Sequence, residues 1–132
     1  MTLAQLTDDA LEFVSVYHLA TLSTPLPDQS IHVVPVGFTW HGGLVRIITS
    51  RGSQKVLNVR RTGTASVCQV ERARWITFSG AASILEDADS VRQAEELYAG
   101  RYRQPRPNPE RVVIAIDPTR ILASRGLLVA SE

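Results

Sequence analysis

A strand–turn–strand pattern decides the fold of this chain. It spans Ser30–Ser50 and reads SIHVVPVGFTWHGGLVRIITS. β-Branched and aromatic residues fill both halves, which is typical of strands. The Gly42-Gly43 pair between the halves favours a tight hairpin connection. We therefore predict a long strand over Ser30–Trp40 and an antiparallel strand over Leu44–Ser50.

The remaining elements are predicted from capping residues and hydrophobic period. Ser53 is a helix N-cap residue, and Gly63 is placed to end the same helix near Thr62. Gly80-Ala81-Ala82 lies inside an apolar run and permits a bend or a close backbone contact. Apolar residues at helical spacing predict two more helices, and shorter apolar runs predict further strands. The helices cover about residues 8–17 and 87–102, and the strands cover 18–24, 65–71, 75–85, 111–117 and 120–124.

Seven strands and three helices indicate a mostly β protein with flanking helices. The hairpin-like succession favours an antiparallel sheet of six to seven strands, closed into a small barrel with the helices outside. A length of 132 residues favours one domain over residues 1–132. The stretch Ile31–Phe38 is apolar on both faces, so its outer face needs a helix, a ligand or a second subunit to cover it.

Composition excludes several classes of protein. The chain is 44% hydrophobic and 20% charged, which excludes disorder. A net charge of +1 and the lack of aromatic interleaving argue against nucleic acid as a partner. No apolar run approaches the roughly 20 residues of a membrane span, so no membrane partner is expected. The single cysteine, Cys68, is predicted to be a buried structural thiol, and it fits a cytoplasmic protein.

A candidate anion site lies where the second strand of the hairpin passes into the next helix. Thr49 and Ser50 bring hydroxyl groups, and the only lysine of the chain, Lys55, lies in the first turn of the helix. Helix N-termini carry unpaired N–H groups and partial positive charge, so this combination suits a phosphate. Asn58 follows Lys55 by one helical turn. The alternative is an ordinary N-cap with solvated basic side chains.

Two other segments suggest binding surfaces. Strand alternation over Trp75–Ser79 places Trp75 and Thr77 opposite the core residue Ile76, which suits a flat polar ring or a subunit interface. The segment Arg101–Arg111 combines clustered arginines with three prolines, so it is either an anion-gripping loop or an exposed loop with solvated charges. No nucleophile motif or metal-ligand spacing is present, and we predict neither a catalytic side chain nor a metal site.

These segments occur in a familiar order. The first helix, the strand from His18, the Ser30–Trp40 strand, Ile47–Ser50 and Ser53–Asn58 together resemble the pyridoxamine 5′-phosphate oxidase-like family. The resemblance covers nearly the whole chain. It implies a split β-barrel and a homodimer with flavin sites at the subunit interface.

Four strings resemble one branch of that family more closely. They are Val33–Thr39, Gly52–Lys55, Ala73–Trp75 and Arg101–Pro109. The branch comprises the actinobacterial flavin/deazaflavin oxidoreductases that reduce biliverdin with coenzyme F-420, an 8-hydroxy-5-deazaflavin. The resemblance implies hydride transfer from the reduced coenzyme to a conjugated tetrapyrrole, most simply biliverdin to bilirubin. Two alternatives stay open: an FMN-binding oxidoreductase, and a non-catalytic protein that binds flavin, haem or bilin.

The resemblance also implies which residues bind the cofactor. The ring system is expected along one strand and the phosphate at the following helix, with the partner subunit adding a strand. The three sets are Pro35, Val36, Gly37 and Phe38; Thr49, Ser50, Ser53, Gln54, Lys55 and Asn58; and, from the partner, Arg74, Trp75, Ile76 and Thr77. Arg103 and Arg106 are expected to meet the propionates of the substrate or the glutamate tail of the coenzyme.

Overall fold

The computed structural model of the chain describes residues 4–130 and contains three helices and seven strands. The helices are α1 (Asp8–Phe13), α2 (Gln54–Thr62) and α3 (Ala88–Arg101). The strands are β1 (Ala20–Pro25), β2 (Ile31–Val36), β3 (Thr39–His41), β4 (Leu44–Ser50), β5 (Thr64–Glu71), β6 (Arg74–Leu85) and β7 (Arg111–Ala123). The predicted mostly β class with flanking helices is confirmed.

The strands form one antiparallel sheet in the order β2-β1-β5-β6-β7-β4-β3. Its two edge strands, β2 and β3, are separated in sequence by only Gly37 and Phe38. The edges must therefore lie close together, which requires the sheet to curl on itself. The result is a barrel that is split between β2 and β3, as the resemblance implied.

The core of the barrel is filled by alternate residues of nearly every strand. Leu22, Val67, Phe78 and Ile114 are fully buried, and β5 and β6 alternate buried with less buried positions as a strand with one core face does. Trp40 stacks on the Phe78 ring at the β3 edge, with 4.7 Å between centroids. The inner face of the sheet is therefore fully occupied by protein side chains, and a ligand has to bind outside it.

Helix α2 begins and ends where the sequence predicted. Ser53 is its N-cap and Gly63 its C-cap, in the left-handed region at φ 67°. Val56 and Val59 are buried, and α2 packs on β1 and β6. This places the N-terminus of α2 directly after the end of β4, so local sequence alone brings together Thr49, Ser50 and Lys55, the residues predicted to bind an anion.

Gly80 allows β6 and β7 to approach each other. A Cβ atom on this residue would lie 2.3 Å from the Asp117 carbonyl oxygen and 2.6 Å from the Thr119 nitrogen. The register shifts here, since Ser79 pairs with Arg120 but Gly80 pairs with Pro118. The predicted close backbone contact is therefore confirmed. Because the bulge absorbs Thr119 and tolerates a proline, β7 is one strand and not the predicted two.

The long strand predicted over residues 30–40 is wrong in one respect. It is interrupted at Gly37 and Phe38, which separate β2 from β3. Side chains from the end of α3 bond the backbone of Phe38: the Tyr102 hydroxyl accepts its N–H at 3.1 Å, and Arg101 donates to its carbonyl oxygen at 2.6 Å. These long-range partners replace the ladder bonds of a continuous strand.

The first helix is shorter than predicted, ending at Phe13 and not near Tyr17. The chain beyond it is held by α3, since Arg101 donates to the Val16 carbonyl oxygen at 2.9 Å and Tyr102 lies 2.8 Å from that of His18. These bonds draw residues 14–18 away from the helix axis. None of the helices in residues 4–130 is long and apolar enough to span a membrane.

The outer face of the sheet carries exposed apolar residues. We use "outer face" for Ile31, Val33, Val70, Trp75 and Leu122, together with the small and hydroxyl side chains between them. Cys68 lies on this face, paired with Thr21 and Thr77, and is half-buried. The prediction of a buried thiol is therefore wrong, because alternation along β5 turns Cys68 away from the core.

Candidate functional site

A cavity of about 420 Å³ lies beside the split of the barrel. One wall is the end of β2, from Pro35 to Gly37, and another is the end of β4, from Ile48 to Ser50, with Lys55 of α2. The third wall is Tyr98 of α3 and the segment that leads from Arg103 to Arg111. Three stretches that are distant in sequence thus meet at one concave surface.

Lys55 is the half-buried cation of this cavity. Burial lowers the pKa of its ammonium group from the ordinary value. Among residues 4–130 no carboxylate lies within salt-bridge distance of it, as the ion pairs of the chain involve only arginines and His18. A partly desolvated cation without an anionic partner is suited to an anionic ligand.

The N-terminus of α2 contributes further donors beside Lys55. The Ser53 side chain caps none of the first-turn N–H groups, and its Oγ lies 3.3 Å from Thr49 Oγ1. The Val56 N–H donates to the Ser53 carbonyl oxygen at 3.1 Å, so among residues 4–130 the Gln54 and Lys55 N–H groups of that turn are left for a ligand, and the helix dipole favours a negative one. Backbone donors, two hydroxyl groups and one ammonium group converge here, which matches the oxygen-rich surface of a phosphate.

The arginines of the third wall divide into two kinds. Arg111 donates to Glu95 Oε2 at 2.6 Å and to the Arg106 carbonyl oxygen at 2.7 Å, so its charge is matched and it holds the segment in place. Arg103 and Arg106 are exposed at the cavity, and neither has a carboxylate partner among the described residues. These two guanidinium groups remain available to a second anionic group.

Contacts across the cavity mouth fix the segment against the barrel. Asn108 Nδ2 donates to Ser50 Oγ at 2.9 Å, and the Arg51 N–H donates to the Glu110 carbonyl oxygen at 2.8 Å. The Arg51 guanidinium also bonds Glu86 and Glu110, which lowers the pKa of Glu86 and raises that of Arg51. The segment is thus anchored at the start of α2, and the cavity is built into the fold.

The structure brings together half of the predicted site residues. Eight line the cavity: Pro35, Val36, Gly37, Thr49, Ser50, Lys55, Arg103 and Arg106. Ser53 lies next to it as the N-cap of α2. Phe38 is fully buried in the core and presents no side chain to the cavity.

Asn58 and Gln54 form a separate polar cluster behind α2. Asn58 is fully buried; its Nδ2 donates to Thr24 Oγ1 at 3.1 Å, and its Oδ1 accepts from Gln54 at 2.8 Å. Arg61 donates to the same oxygen at 3.2 Å. Asn58 therefore fastens α2 to β1, which gives it a structural role where the sequence predicted a phosphate ligand.

The four residues assigned to the partner subunit lie outside the cavity, on β6. Trp75 is 36% exposed on the outer face, and Thr77 is half-buried there. Ile76 is fully buried in the core, so its side chain cannot reach a cofactor, and Arg74 covers the Phe13 ring at 4.5 Å. The alternation predicted over Trp75–Ser79 is confirmed, but within one chain these residues do not join the cavity.

Sequence reasoning missed several residues of the cavity. Tyr98 was not among the predicted site residues, yet its ring lines the cavity and packs on Tyr102 with 4.8 Å between centroids. Asn108 and Arg111 lie in the arginine- and proline-rich stretch, which was the only signal for them. Arg101, from the same stretch, is buried and not part of an exposed loop.

The cavity fits a planar group that carries a phosphate. Lys55 and the α2 N-terminus supply positive charge that no carboxylate of the described residues neutralises. The Tyr98 ring and the backbone of Pro35–Gly37 supply an apolar surface nearby. Among residues 4–130 no group of three or more His, Cys, Asp or Glu side chains is placed to hold a metal ion. The donors at the cavity are an ammonium group, hydroxyl groups and backbone N–H groups, which suit the phosphate of an organic ligand.

Comparison with known proteins gives one family and several relatives. The sequence profile described as pyridoxamine 5′-phosphate oxidase matches residues 6–125. An F-420H(2)-dependent biliverdin reductase of Mycobacterium tuberculosis is 50% identical over 129 residues, which cover 96% of this chain and 94% of that protein.

Solved structures share the fold at low identity. A conserved hypothetical protein of Mycobacterium tuberculosis is 21% identical and superposes with a TM-score of 0.77 over 91% of this chain and 85% of its own. An F-420 reductase, also 21% identical, has a TM-score of 0.71 over 84% of this chain and 94% of its own. At these identities the two structures support the split-barrel architecture alone.

Proposed function

The chain belongs to the pyridoxamine 5′-phosphate oxidase family. We propose that it is an oxidoreductase that reduces biliverdin to bilirubin with reduced coenzyme F-420. The observation that carries the proposal is the cavity with the unpaired Lys55 at the N-terminus of α2. The relative that is 50% identical over almost the whole chain is a reductase of that specificity.

The cavity residues divide the work of binding. Thr49, Ser50 and Lys55, with the first-turn N–H groups of α2, would hold the phosphate of the coenzyme. The backbone of Pro35–Gly37 would lie along the ring system, with Tyr98 as an aromatic wall. Gln54 and Asn58 are left out of this assignment because they bond each other and Thr24.

Arg103 and Arg106 would meet carboxylates. Coenzyme F-420 carries a glutamate tail and biliverdin carries propionates, so either molecule offers partners for two exposed guanidinium groups. FMN carries no carboxylate, so in the arrangement where the arginines bind the glutamate tail they favour the deazaflavin over FMN.

The coenzyme, when bound, supplies a hydride, and the protein supplies orientation and charge neutralisation. Lys55 would neutralise the phosphate, and the tyrosine and backbone walls would exclude water and fix the plane of the ring. No side chain is assigned as catalytic. Proximity and alignment of two flat molecules are the contributions that this cavity can make.

We further propose that two copies of the chain form a homodimer through the outer face. Five exposed apolar side chains lie on that face, which a second copy of the chain would cover. Trp75 and Thr77 would then complete the partner's cavity, as the resemblance implies. We also propose that the protein is cytoplasmic, because a reducing compartment would keep its single cysteine, Cys68, in the thiol form.

Two measurements test the function. Mixing the protein with reduced coenzyme F-420 and biliverdin under anaerobic conditions should bleach the bilin band at a rate proportional to protein concentration. Omitting the protein or replacing the coenzyme with reduced FMN should leave the band unchanged. A turnover with FMN equal to that with F-420 would support the FMN alternative and reject the proposal.

Cofactor choice is tested separately by titrating F-420 and FMN against the fluorescence of Trp40 and Trp75. The proposal expects F-420 to bind at least about tenfold more tightly, a difference of about 1.4 kcal/mol. Tight F-420 binding without turnover of biliverdin would instead indicate a non-catalytic carrier.

A further inference from the structure

The backbone of Phe38 depends on side chains from another element. Phe38 lies between β2 and β3, so neither strand supplies its hydrogen-bond partners. Its N–H donates to the Tyr102 hydroxyl at 3.1 Å, and its carbonyl oxygen accepts from Arg101 Nη1 at 2.6 Å. Tyr102 also lies 2.8 Å from the His18 carbonyl oxygen and 3.1 Å from that of Phe38, and its single proton serves one of them at a time.

Arg101 extends this arrangement into the core. Its Nε donates to the Val16 carbonyl oxygen at 2.9 Å and its Nη2 to Gln69 Oε1 at 2.7 Å. The guanidinium also covers the Phe38 ring, 4.7 Å from its centroid. Arg101 is only 8% exposed, and three of its five N–H donors are used in these bonds, one of them at the break between β2 and β3.

Tyr102 and Tyr98 both contact Gly37, a residue that lines the cavity. A Cβ atom on Gly37 would lie 3.1 Å from the Tyr102 ring and 3.2 Å from the Tyr98 ring. Both rings therefore pack directly against the Gly37 backbone, and Tyr98 and Gly37 both line the cavity. The Tyr102 ring thus contacts Gly37 in the cavity wall, and its hydroxyl accepts the N–H of the next residue, Phe38.

We propose that Tyr102 is a positioning residue for the reaction, because its hydroxyl fixes the backbone of Gly37 and Phe38 against which the coenzyme ring lies. The inference rests on the proposed function for the identity of the ligand. It assigns to the end of α3 a role in cofactor geometry that the cavity-lining residues alone do not reveal. Burial raises the pKa of Tyr102, so the hydroxyl keeps its proton and its bonding pattern across the neutral range.

Tyr102→Phe is the test variant, because it removes the hydroxyl and keeps the ring. Loss of one hydrogen-bonded hydroxyl leaves the Phe38 N–H without its partner and frees the cavity wall to shift. We expect kcat with reduced F-420 and biliverdin to fall by about tenfold to a hundredfold, since small misplacements of aligned reactants have effects of that order. The Kd for F-420, from tryptophan fluorescence, should rise by a smaller factor.

Tyr17→Phe is the matched control. The Tyr17 ring contacts Tyr102 edge-on at 5.2 Å, but it is 66% exposed and its hydroxyl has no hydrogen bond within residues 4–130. This variant should keep the kcat and the Kd of the parent protein. Melting temperatures of both variants separate a loss of fold from a loss of position.

The outcomes are distinguishable from those of the functional test. If the parent protein binds F-420 and turns over, but Tyr102→Phe keeps the same kcat and Kd, the positioning role is rejected and the proposed function stands. If Tyr102→Phe lowers only the melting temperature, the hydroxyl is purely structural and the inference is also rejected. If the parent protein itself neither binds F-420 nor reduces biliverdin, the proposed function fails first.

Discussion

At the residue scale, Lys55 is the group on which we expect coenzyme binding to depend most. Burial lowers its pKa, so the folded chain holds this proton less tightly than the unfolded chain does. The unfolded state therefore binds more protons between the lowered pKa and the ordinary value, and the contribution of Lys55 to the free energy of unfolding rises with pH through that window. At neutral pH the charged side chain costs stability, and a bound anion would offset that cost.

We expect Lys55→Ala to weaken F-420 binding without weakening the fold. The loss of a charge-assisted bond to the phosphate corresponds to about 1.5–3 kcal/mol, or a Kd that rises about tenfold to a hundredfold. The free energy of unfolding should change by less than about 1 kcal/mol. Fluorescence titration and urea unfolding measure the two quantities.

Arg60→Ala is the control for that experiment. Arg60 lies on the same helix and pairs with Glu86 on the exposed surface, outside the cavity lining. It should leave the Kd unchanged. A large drop in melting temperature for Lys55→Ala with an unaltered Kd would contradict the assignment.

At the scale of elements, Gly80 lets the two longest strands, β6 and β7, approach each other where their register shifts. A methyl group there would overlap the Asp117 carbonyl oxygen and the backbone at Pro118, neither of which can move without breaking the β6–β7 ladder. Gly80→Ala should lower the free energy of unfolding by about 3 kcal/mol or more. Chemical denaturation measures this, with unchanged m-value as a check on two-state behaviour.

Gly100→Ala is the matched control, and we expect it to raise the free energy of unfolding. Gly100 lies in α3, and a Cβ atom there would meet nothing within 4 Å. The substitution should stabilise the protein by about 0.5–1 kcal/mol, because alanine loses less conformational freedom in a helix. Equal effects of the two alanines would show that the bulge does not need glycine.

Local signals predicted the elements that local sequence determines. Ser53 and Gly63 bound α2 as predicted, and alternation along β6 turned Ile76 inward and Trp75 outward. The proximity of Thr49, Ser50 and Lys55 could be predicted for the same reason, since β4, the turn and α2 are contiguous in the chain.

Long-range contacts explain what the sequence did not reveal. The break at Gly37 and Phe38 and the early end of α1 both depend on Arg101 and Tyr102, far along the chain. The third wall of the cavity depends on Arg111 finding Glu95 and on Asn108 finding Ser50. Asn58 was assigned to the phosphate because helix spacing predicts which face a residue lies on but not its hydrogen-bond partner, here Thr24.

At the scale of the whole molecule, the proposed dimer can be disrupted from the outer face. Val70 is 56% exposed beside Trp75, its partner across β5 and β6. Val70→Glu should shift the protein towards monomer in sedimentation velocity, because it places a charge in an apolar contact. Affinity for F-420 should fall with the dimer if the partner contributes Trp75.

Leu11→Glu is the control, because Leu11 is 42% exposed on α1 and lies outside the outer face. It should keep the oligomeric state of the parent protein. A parent protein that sediments as a monomer at micromolar concentration would remove the basis for assigning Trp75 and Thr77 to the site.

The order of strands in the sheet has a consequence for how the protein is made. β4 pairs with β7, so Ser50 can pair with Arg111 only after α2, β5, β6 and α3 have been synthesised. Pairings of this kind close long loops and form slowly. A nascent chain that ends before Arg111 has the residues of the phosphate end of the cavity but lacks β7 and the Arg111 contacts that hold the third wall in place. Because the complete cavity forms only with β7 in place, a bound coenzyme would stabilise the folded chain and not its early folding intermediates.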